Sequence, residues 1–546
     1  MNHTNEFVRS KQPYDAIVVG AGASGLYALY HLQKRGYNAM LIEAGDGVAG
    51  TWYWNRYPGL RVDVESVEYS YAFDDDLQQE WEWSERYAAQ PELERYFNHV
   101  ADRFDLRPSI LLSRRVTAAQ FDEASGRWNV ETDRGETFDA QYCIMATGLL
   151  SAPKDVNFPG LDEFKGVTAH TARWPEEGID FAGKKVAVIG TGSSGIQVIP
   201  IVAETAEHLT VFQRTPAFAV PLRNCVPPEG YFEEVKANYA EWRRREKYAS
   251  FGGWVAVNYK PVDLTTTSAL AVSEEERLAL YEDRWESGGL AFYNVYPDIF
   301  GDRAANDTLA EFLREKTRTR IDDPAIADIL IPNDYPVMMR RLSAETNYYE
   351  TFNRDNVTLV DVRATPIQSF TPIGLQTTEQ EYDFDIAIFA TGFDAMSGAL
   401  VRIDIRGRDG QALTDHWSDE IRTTFGMMAS GFPNMFYISG PGSPAPLFQP
   451  VLFCEDQMTW LTSLFSHMKT QGKTVVDPTP EFEETWIQEC DRALDVTLFN
   501  ETPSWYVGGN IEGKSGRGLI YFGGIHPYRE WISKCASNDY AGFALQ

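Results

Sequence analysis

Glycines spaced as GxGxxG occur twice, at Gly20, Gly22 and Gly25 and again at Gly190, Gly192 and Gly195. Each set comes after a short apolar run and precedes a segment of helical apolar spacing, the setting in which such a loop binds a dinucleotide. The first glycine permits a tight turn. The second lets backbone approach a pyrophosphate, and the third lets helix pack closely on strand, so that the phosphates meet the positive end of a helix dipole. Thr191, Ser193 and Ser194 complete the second loop. The charged residue downstream of each loop differs. Eighteen residues past Gly25 stands Glu43, whose carboxylate can accept hydrogen bonds from ribose hydroxyls. Nineteen past Gly195 stands Arg214, which can bind a 2′-phosphate that an acid would repel. The first site therefore predicts FAD, the second NADPH rather than NADH. Two such sites in one chain suggest a flavin reduced by a nicotinamide. No CxxC pair is present to take electrons onward as a disulfide reductase would, which leaves molecular oxygen as the obvious acceptor.

Positioning these loops requires two βαβ units. Strands are expected at Tyr14–Val19 and Asn38–Glu43, with a helix over Leu26–Arg35 between them. The second unit is expected to run through a strand Lys185–Ile189, a helix Ile196–Ala203 and a strand Leu209–Gln213. The fold class is therefore α/β, with two Rossmann-like dinucleotide-binding domains and a helical insertion. Helices are expected at Glu233–Ala249, Ser273–Trp285 and Asp307–Thr319, with a capping box at Ser273 and Glu276 and an apolar stripe of Leu309, Phe312 and Leu313. Strands resume at Val357–Val360 and Asp385–Phe389, and two similar strand endings, IMATG at 144–148 and IFATG at 388–392, mark one domain each. The expected division is an FAD domain in 14–150, an NADP domain in 151–218, the insertion in 219–332, a return to the NADP domain in 333–384 and a return to the FAD domain in 385–546. Residues 1–13 are polar and expected to be loose.

The chain has 546 residues and a formal charge of −30. So acidic a surface argues against nucleic-acid and anionic-lipid partners. Five cysteines without CxxC spacing argue against a disulfide framework or structural metal site and for a reduced, cytoplasmic setting. The uncharged stretch Ala16–Tyr30 carries three glycines and no cleavage site, so a signal peptide is not expected. No run reaches the ~20 apolar residues that cross a bilayer. No metal is expected, and a monomer is favoured.

Between the glycine loops, FKGVTAHTARWP places Phe164, Gly166, His170, Trp174 and Pro175 as FxGxxxHxxxWP. This resembles the fingerprint of type I Baeyer–Villiger monooxygenases. Related nitrogen- and sulfur-oxidising flavin monooxygenases have a similar motif, usually without the Trp-Pro ending, and are the alternative. GTWYWNRYPGLRVDVES (50–66), GTGSSGIQ (190–197), VFQRTP (211–216), FATGFD (389–394), GPGSP (440–444) and SWYVGGNIEGK (504–514) also look like that family, its phenylacetone and steroid monooxygenase subgroup in particular. Together they cover nearly the whole chain.

The resemblance implies conversion of ketones to esters or lactones with O2 and NADPH through a C4a-peroxyflavin, with oxidation of sulfides also expected. It implies that Arg341, in YPVMMRRL, is the fixed cation that keeps the oxidant deprotonated, and that Asp63 orients it. It implies flavin contacts from Ser24, Thr51, Trp52, Asp63, Tyr69 and Val116 besides Glu43. For NADPH it implies Arg214 and Arg340 beside the 2′-phosphate, where the family usually has lysine at the latter, with Gln197 and Thr215 as helpers. Trp505 is implied near the nicotinamide end and the substrate. His170 is assigned to cofactor positioning and domain motion rather than acid–base chemistry. Leu60 and Val62, and Ala445 to Phe448, depart from the family pattern at places expected to border the ketone.

Overall fold

The run YDAIVV is apolar without alternation, as a strand covered on both faces of a parallel sheet must be. In the computed structural model, which describes residues 13–248, 265–511 and 518–546, it forms the strand Tyr14–Val19 at the centre of an eight-stranded sheet. Ala39–Ile42 pairs with it in parallel on one side and Thr137–Met145 on the other, and the helix Ala23–Lys34 connects the first two. Val116–Asp122, Arg127–Thr132 and Thr137–Met145 form an antiparallel extension. The tail 1–12, Ala249 and the last three residues of SWYVGGNIEGK lie outside the described residues.

A second, wholly parallel sheet has the order Val357–Asp361, His208–Gln213, Lys185–Ile189, Ile386–Phe389, Val167–His170. Its glycine helix runs from Ser193 to Thr205. This order corrects the boundary expected at 385. Ile386 pairs with both Val186 and Val167, and all four residues of its strand are buried, so the strand belongs inside the second sheet. The chain returns to the first sheet only with Asp404–Arg406 and Met435–Tyr437.

The two strand endings do the same job in both sheets. Ala146 donates its N–H to Val19, and Ala390 donates to Ile189, each at 2.9 Å. Each alanine thereby lies against the first glycine of a loop: a Cβ on Gly20 would stand 2.6 Å from the Ala146 carbonyl oxygen, and one on Gly190 2.5 Å from that of Ala390. Both glycines also have positive φ, +104° and +110°, where an L side chain is strained.

The insertion is helical. The stretch expected as one helix from Glu233 divides into Tyr231–Ala237 and Tyr239–Tyr248, parted at Asn238. Glu274–Ser287 carries the expected reciprocal capping box of Ser273 and Glu276. Arg303–Arg318 starts four residues earlier than expected because Asp302 caps it, accepting from the Ala304 and Ala305 N–H groups. Its stripe of Leu309, Phe312 and Leu313 is buried, each side chain contributing roughly 1.5–3 kcal/mol. The ends of the insertion are tied together by parallel pairing of Ala219–Pro221 with Ser343–Glu345.

Candidate active site

Both glycine helices begin without a side-chain cap and without an acid in the first turn. Their N–H groups are left for an anion, which the helix dipole favours. A Cβ on Gly25 would overlap the Gly20 carbonyl, and one on Gly195 would overlap that of Gly190, so both glycines are required by helix-on-loop packing. The middle glycines differ. A Cβ on Gly192 would meet nothing within 4 Å, an open cradle at the helix end. Gly22 instead faces the backbone of Gly50, whose own Cβ would stand 2.7 Å from the Gly22 Cα. The mouth of the first loop is thus made by two glycines back to back.

Around the first loop, Glu43 Oε2 accepts from the Ala21 N–H and Oε1 from that of Gly45, both at 2.7 Å. This fixes the carboxylate beside the loop. Arg114 donates its N–H to the Glu43 carbonyl at 2.9 Å, which brings Val116 to the same edge. Ser24 lies on the first helical turn beside Cys454. Thr51 and Trp52 open the short helix that begins after Gly50. The Trp52 indole donates to the Tyr69 hydroxyl at 3.2 Å, and Tyr69 is near enough to Asp63 and Arg341 to feel both charges. Burial above all pushes the Tyr69 phenol up to about 12.

At the second loop, Arg214 directly follows the strand His208–Gln213, is exposed and makes no ion pair among the described residues. Arg340 lies near it, with its guanidinium over the Tyr335 ring at 4.7 Å. Burial lowers the Arg340 pKa, and Arg214 and Arg363 lower it further. Lys154, which no motif singles out, is likewise pulled down by burial and by Arg214. Such a gathering of cations calls for an anion. Thr215 accepts from the Thr191 hydroxyl through its carbonyl at 3.2 Å, and Ser193 meets Ser343 at 3.0 Å. Ser194 lies beside the buried Tyr57 hydroxyl.

Gln197 reaches across to the first domain. Its amide is spent between domains, accepting from the Tyr57 hydroxyl at 2.7 Å and donating to the Arg61 carbonyl at 3.1 Å. Gly59, with φ +86°, lets this loop approach the same helix, since a Cβ there would stand 2.5 Å from the Gln197 carbonyl. The second nucleotide helix therefore grips the loop that carries Asp63.

Three distant segments meet at Arg341. Its Nε donates to Asp63 Oδ2 at 2.9 Å, its Nη2 lies in ion-pair contact with the same oxygen at 2.8 Å, and its Nη1 donates to the Pro446 carbonyl at 3.1 Å. Burial works against the charge, but the Asp63 carboxylate outweighs it, and the Arg341 pKa is raised above its ordinary value. The side chains remain 23% and 33% accessible, enough for a ligand to reach the pair. Behind it stands a residue that the sequence pattern did not reveal. Asn306, fully buried on the insertion helix, accepts from the Val337 N–H at 2.9 Å and donates to the Val337 carbonyl at 3.0 Å. The next residue, Met338, is held at φ +67°. An asparagine within an apolar helical pattern was the available signal. Leu60, Val62 and Ala445 to Phe448 are buried on the two segments that supply Asp63 and Pro446.

The fingerprint segment lies on the edge strand of the second sheet. Phe164 packs with Phe370 and Phe384, and a Cβ on Gly166 would overlap the Asp385 carbonyl. His170 Nδ1 accepts the Ala172 N–H at 3.0 Å, so its proton is on Nε2, which faces the Thr391 hydroxyl at 3.1 Å. Burial, then Arg173, lowers its pKa, and a neutral, doubly bonded imidazole fits a positioning role. Arg173 reaches the first domain, its guanidinium 4.5 Å over the Trp54 ring. Trp505 is half-buried and packs on Tyr506, their ring centroids 4.2 Å apart.

Uncapped helix ends, the open cradle at Gly192, a held ribose-range carboxylate and a cationic cluster together fit two dinucleotides. Comparison with known proteins agrees. Residues 17–222 match the family model described as pyridine nucleotide-disulphide oxidoreductase. Acetone monooxygenase (methyl acetate-forming) of Gordonia sp. strain TY-5 is 44% identical over 97% of this chain and 99% of its own. Oxidized steroid monooxygenase bound to NADP superposes with a TM-score of 0.92 at 46% identity, over 98% of this chain and 99% of that one. OTEMO in complex with FAD and NADP does so with 0.93 at 40%, over 98% and 100%.

Proposed function

The chain belongs to the type I Baeyer–Villiger monooxygenases, and from that premise we propose which of its residues carry the reaction. The enzyme uses FAD, NADPH and O2 to convert ketones to esters or lactones. Bound FAD would supply the redox chemistry that links NADPH to oxygen. The protein supplies the rest. The first glycine helix, with Ser24, Glu43, Thr51, Trp52, Tyr69 and Val116, holds FAD. The second, with Arg214, Thr215, Arg340 and Lys154, holds NADPH and selects its 2′-phosphate. Gln197 acts between the two, holding the Asp63 loop against the second helix.

The observation that carries the reading is the Arg341–Asp63 pair. One N–H bond and an ion-pair contact to the same carboxylate oxygen, with a second N–H bond to the Pro446 carbonyl, keep the guanidinium from turning away. A cation fixed in this way stabilises negative charge on the oxygen that attacks the ketone, so that it remains a nucleophile. Asp63 orients the cation and keeps it charged. Leu60, Val62, Leu447 and Phe448 favour an apolar ketone, and sulfides should also be oxidised. No helix among the described residues is long and apolar enough to cross a membrane; a cytoplasmic monomer is our reading. Replacing Arg341 by Ala should lower ester formation by about 10²–10³-fold, as loss of a preorganised electrostatic group does elsewhere, while the protein stays yellow with bound FAD. Near-wild-type oxygenation of ketones by that variant would contradict the assignment.

A further inference from the structure

Tyr506 stands beside the Arg341–Asp63 pair with a buried hydroxyl that has no hydrogen-bond partner among the described residues. Its side chain is fully buried. The ring is clamped by Trp505 and by Phe499, at centroid distances of 4.2 and 5.6 Å, and its carbonyl accepts the Leu519 N–H at 2.8 Å. The hydroxyl lies beside the Arg341 guanidinium and the Tyr293 hydroxyl, close enough to influence both, but completes a hydrogen bond with no group among the described residues. Tyr293, by contrast, has a structural role. Its oxygen accepts the N–H of Leu342, the residue after Arg341, at 3.1 Å. A buried hydroxyl without a partner is costly, and folded proteins seldom keep one without a use. Burial raises the phenol's pKa well above its usual value, so it is a neutral donor and cannot serve as a base.

We infer that Tyr506 is a further catalytic residue, donating a hydrogen bond to the carbonyl oxygen of the ketone beside Arg341. The inference rests on the role given to Arg341 above. As oxygen adds to the carbonyl carbon, the carbonyl π pair moves onto the carbonyl oxygen, and a donor waiting there stabilises the gathering charge. When that pair returns, a carbon–carbon bonding pair shifts to the inserted oxygen. The bond from that oxygen to the atom that delivered it breaks, its electrons leaving with that atom. The phenol keeps its proton throughout, so it gains and loses no atom. A sulfide has no carbonyl oxygen and should not need it.

The test is Tyr506→Phe in the FAD-loaded enzyme, assayed with NADPH, phenylacetone and methyl phenyl sulfide. Ester formation should fall about tenfold to a hundredfold, the worth of one charged-state hydrogen bond. Hydrogen peroxide should take its place, while flavin reduction and sulfide oxidation proceed at wild-type rates. The apo protein's melting temperature should hold or rise, because no internal bond is lost; Tyr293→Phe should lower it. Ester formation at the wild-type rate would overturn the inference. So would a lowered melting temperature with equal losses on both substrates, which would mark a structural phenol. Arg341→Ala separates the two levels: if it retains ketone oxygenation the parent reading fails, and if it loses it while Tyr506→Phe does not, only this inference fails.

Discussion

Glu43 and Arg214 stand at equivalent places in two repeats, and their opposite charges are the ground on which we assign them to two different nucleotides. Both were legible in the sequence because a residue at the end of the second strand is placed by its distance from the glycines alone. Arg341 was legible only through the family resemblance, since a doubled arginine by itself reads as a solvated pair. Pro446 was legible only as a pocket residue, because it acts through its backbone carbonyl. Asn306 offered only the signal of an asparagine at an apolar helical stretch, and its role was hidden because its partner is 31 residues away on another element. Arg214 tests the residue scale most simply. Arg214→Ala removes one charged hydrogen-bond donor worth about 1.5–3 kcal/mol. The ratio of kcat/KM for NADPH to that for NADH should therefore fall roughly ten- to a hundred-fold. An unchanged ratio would assign selectivity to Arg340 and Lys154 instead.

Elements were predictable where the pattern was local. The strands Tyr14–Val19 and Lys185–Ile189 match their expected bounds, and the capping box at Ser273 marks its helix start as expected. Where neighbours decide, the pattern was insufficient. The break at Asn238 is not marked by Gly or Pro, and the sheet that receives Ile386–Phe389 depends on pairing partners some 200 residues upstream. The packing of the second glycine helix is testable alone. In Gly195→Ala the new Cβ would overlap the Gly190 carbonyl, so the helix must shift off its loop. Overpacking of this kind costs about 1–3 kcal/mol. The KM for NADPH should rise about tenfold or more while FAD stays bound, as read from kinetics and the flavin spectrum. Unaltered NADPH kinetics would show that the helix end does not hold the nucleotide.

At the scale of the whole molecule, a strongly acidic chain gathers Lys154, Arg214, Arg340 and Arg363 around one place and brings Asp63, Arg341 and Pro446 together at another. The insertion takes part, because Asn306 grips the backbone ahead of Arg341. The two ATG endings follow strands in different sheets, as their repetition suggested, whereas the sheet that takes Ile386–Phe389 and the helix-to-loop clamp at Gly59 and Gln197 required the structure. These features converge on one activity: the molecule inserts oxygen from O2 beside a ketone carbonyl. The most direct measurement supplies the purified holoenzyme with NADPH, oxygen-18-labelled dioxygen and a panel of aryl, cyclic and steroidal ketones, and weighs the products by mass spectrometry. Esters or lactones carrying one heavy oxygen are expected. NADPH consumed with no labelled ester from any ketone, and labelled products only from amines or sulfides, would contradict that activity.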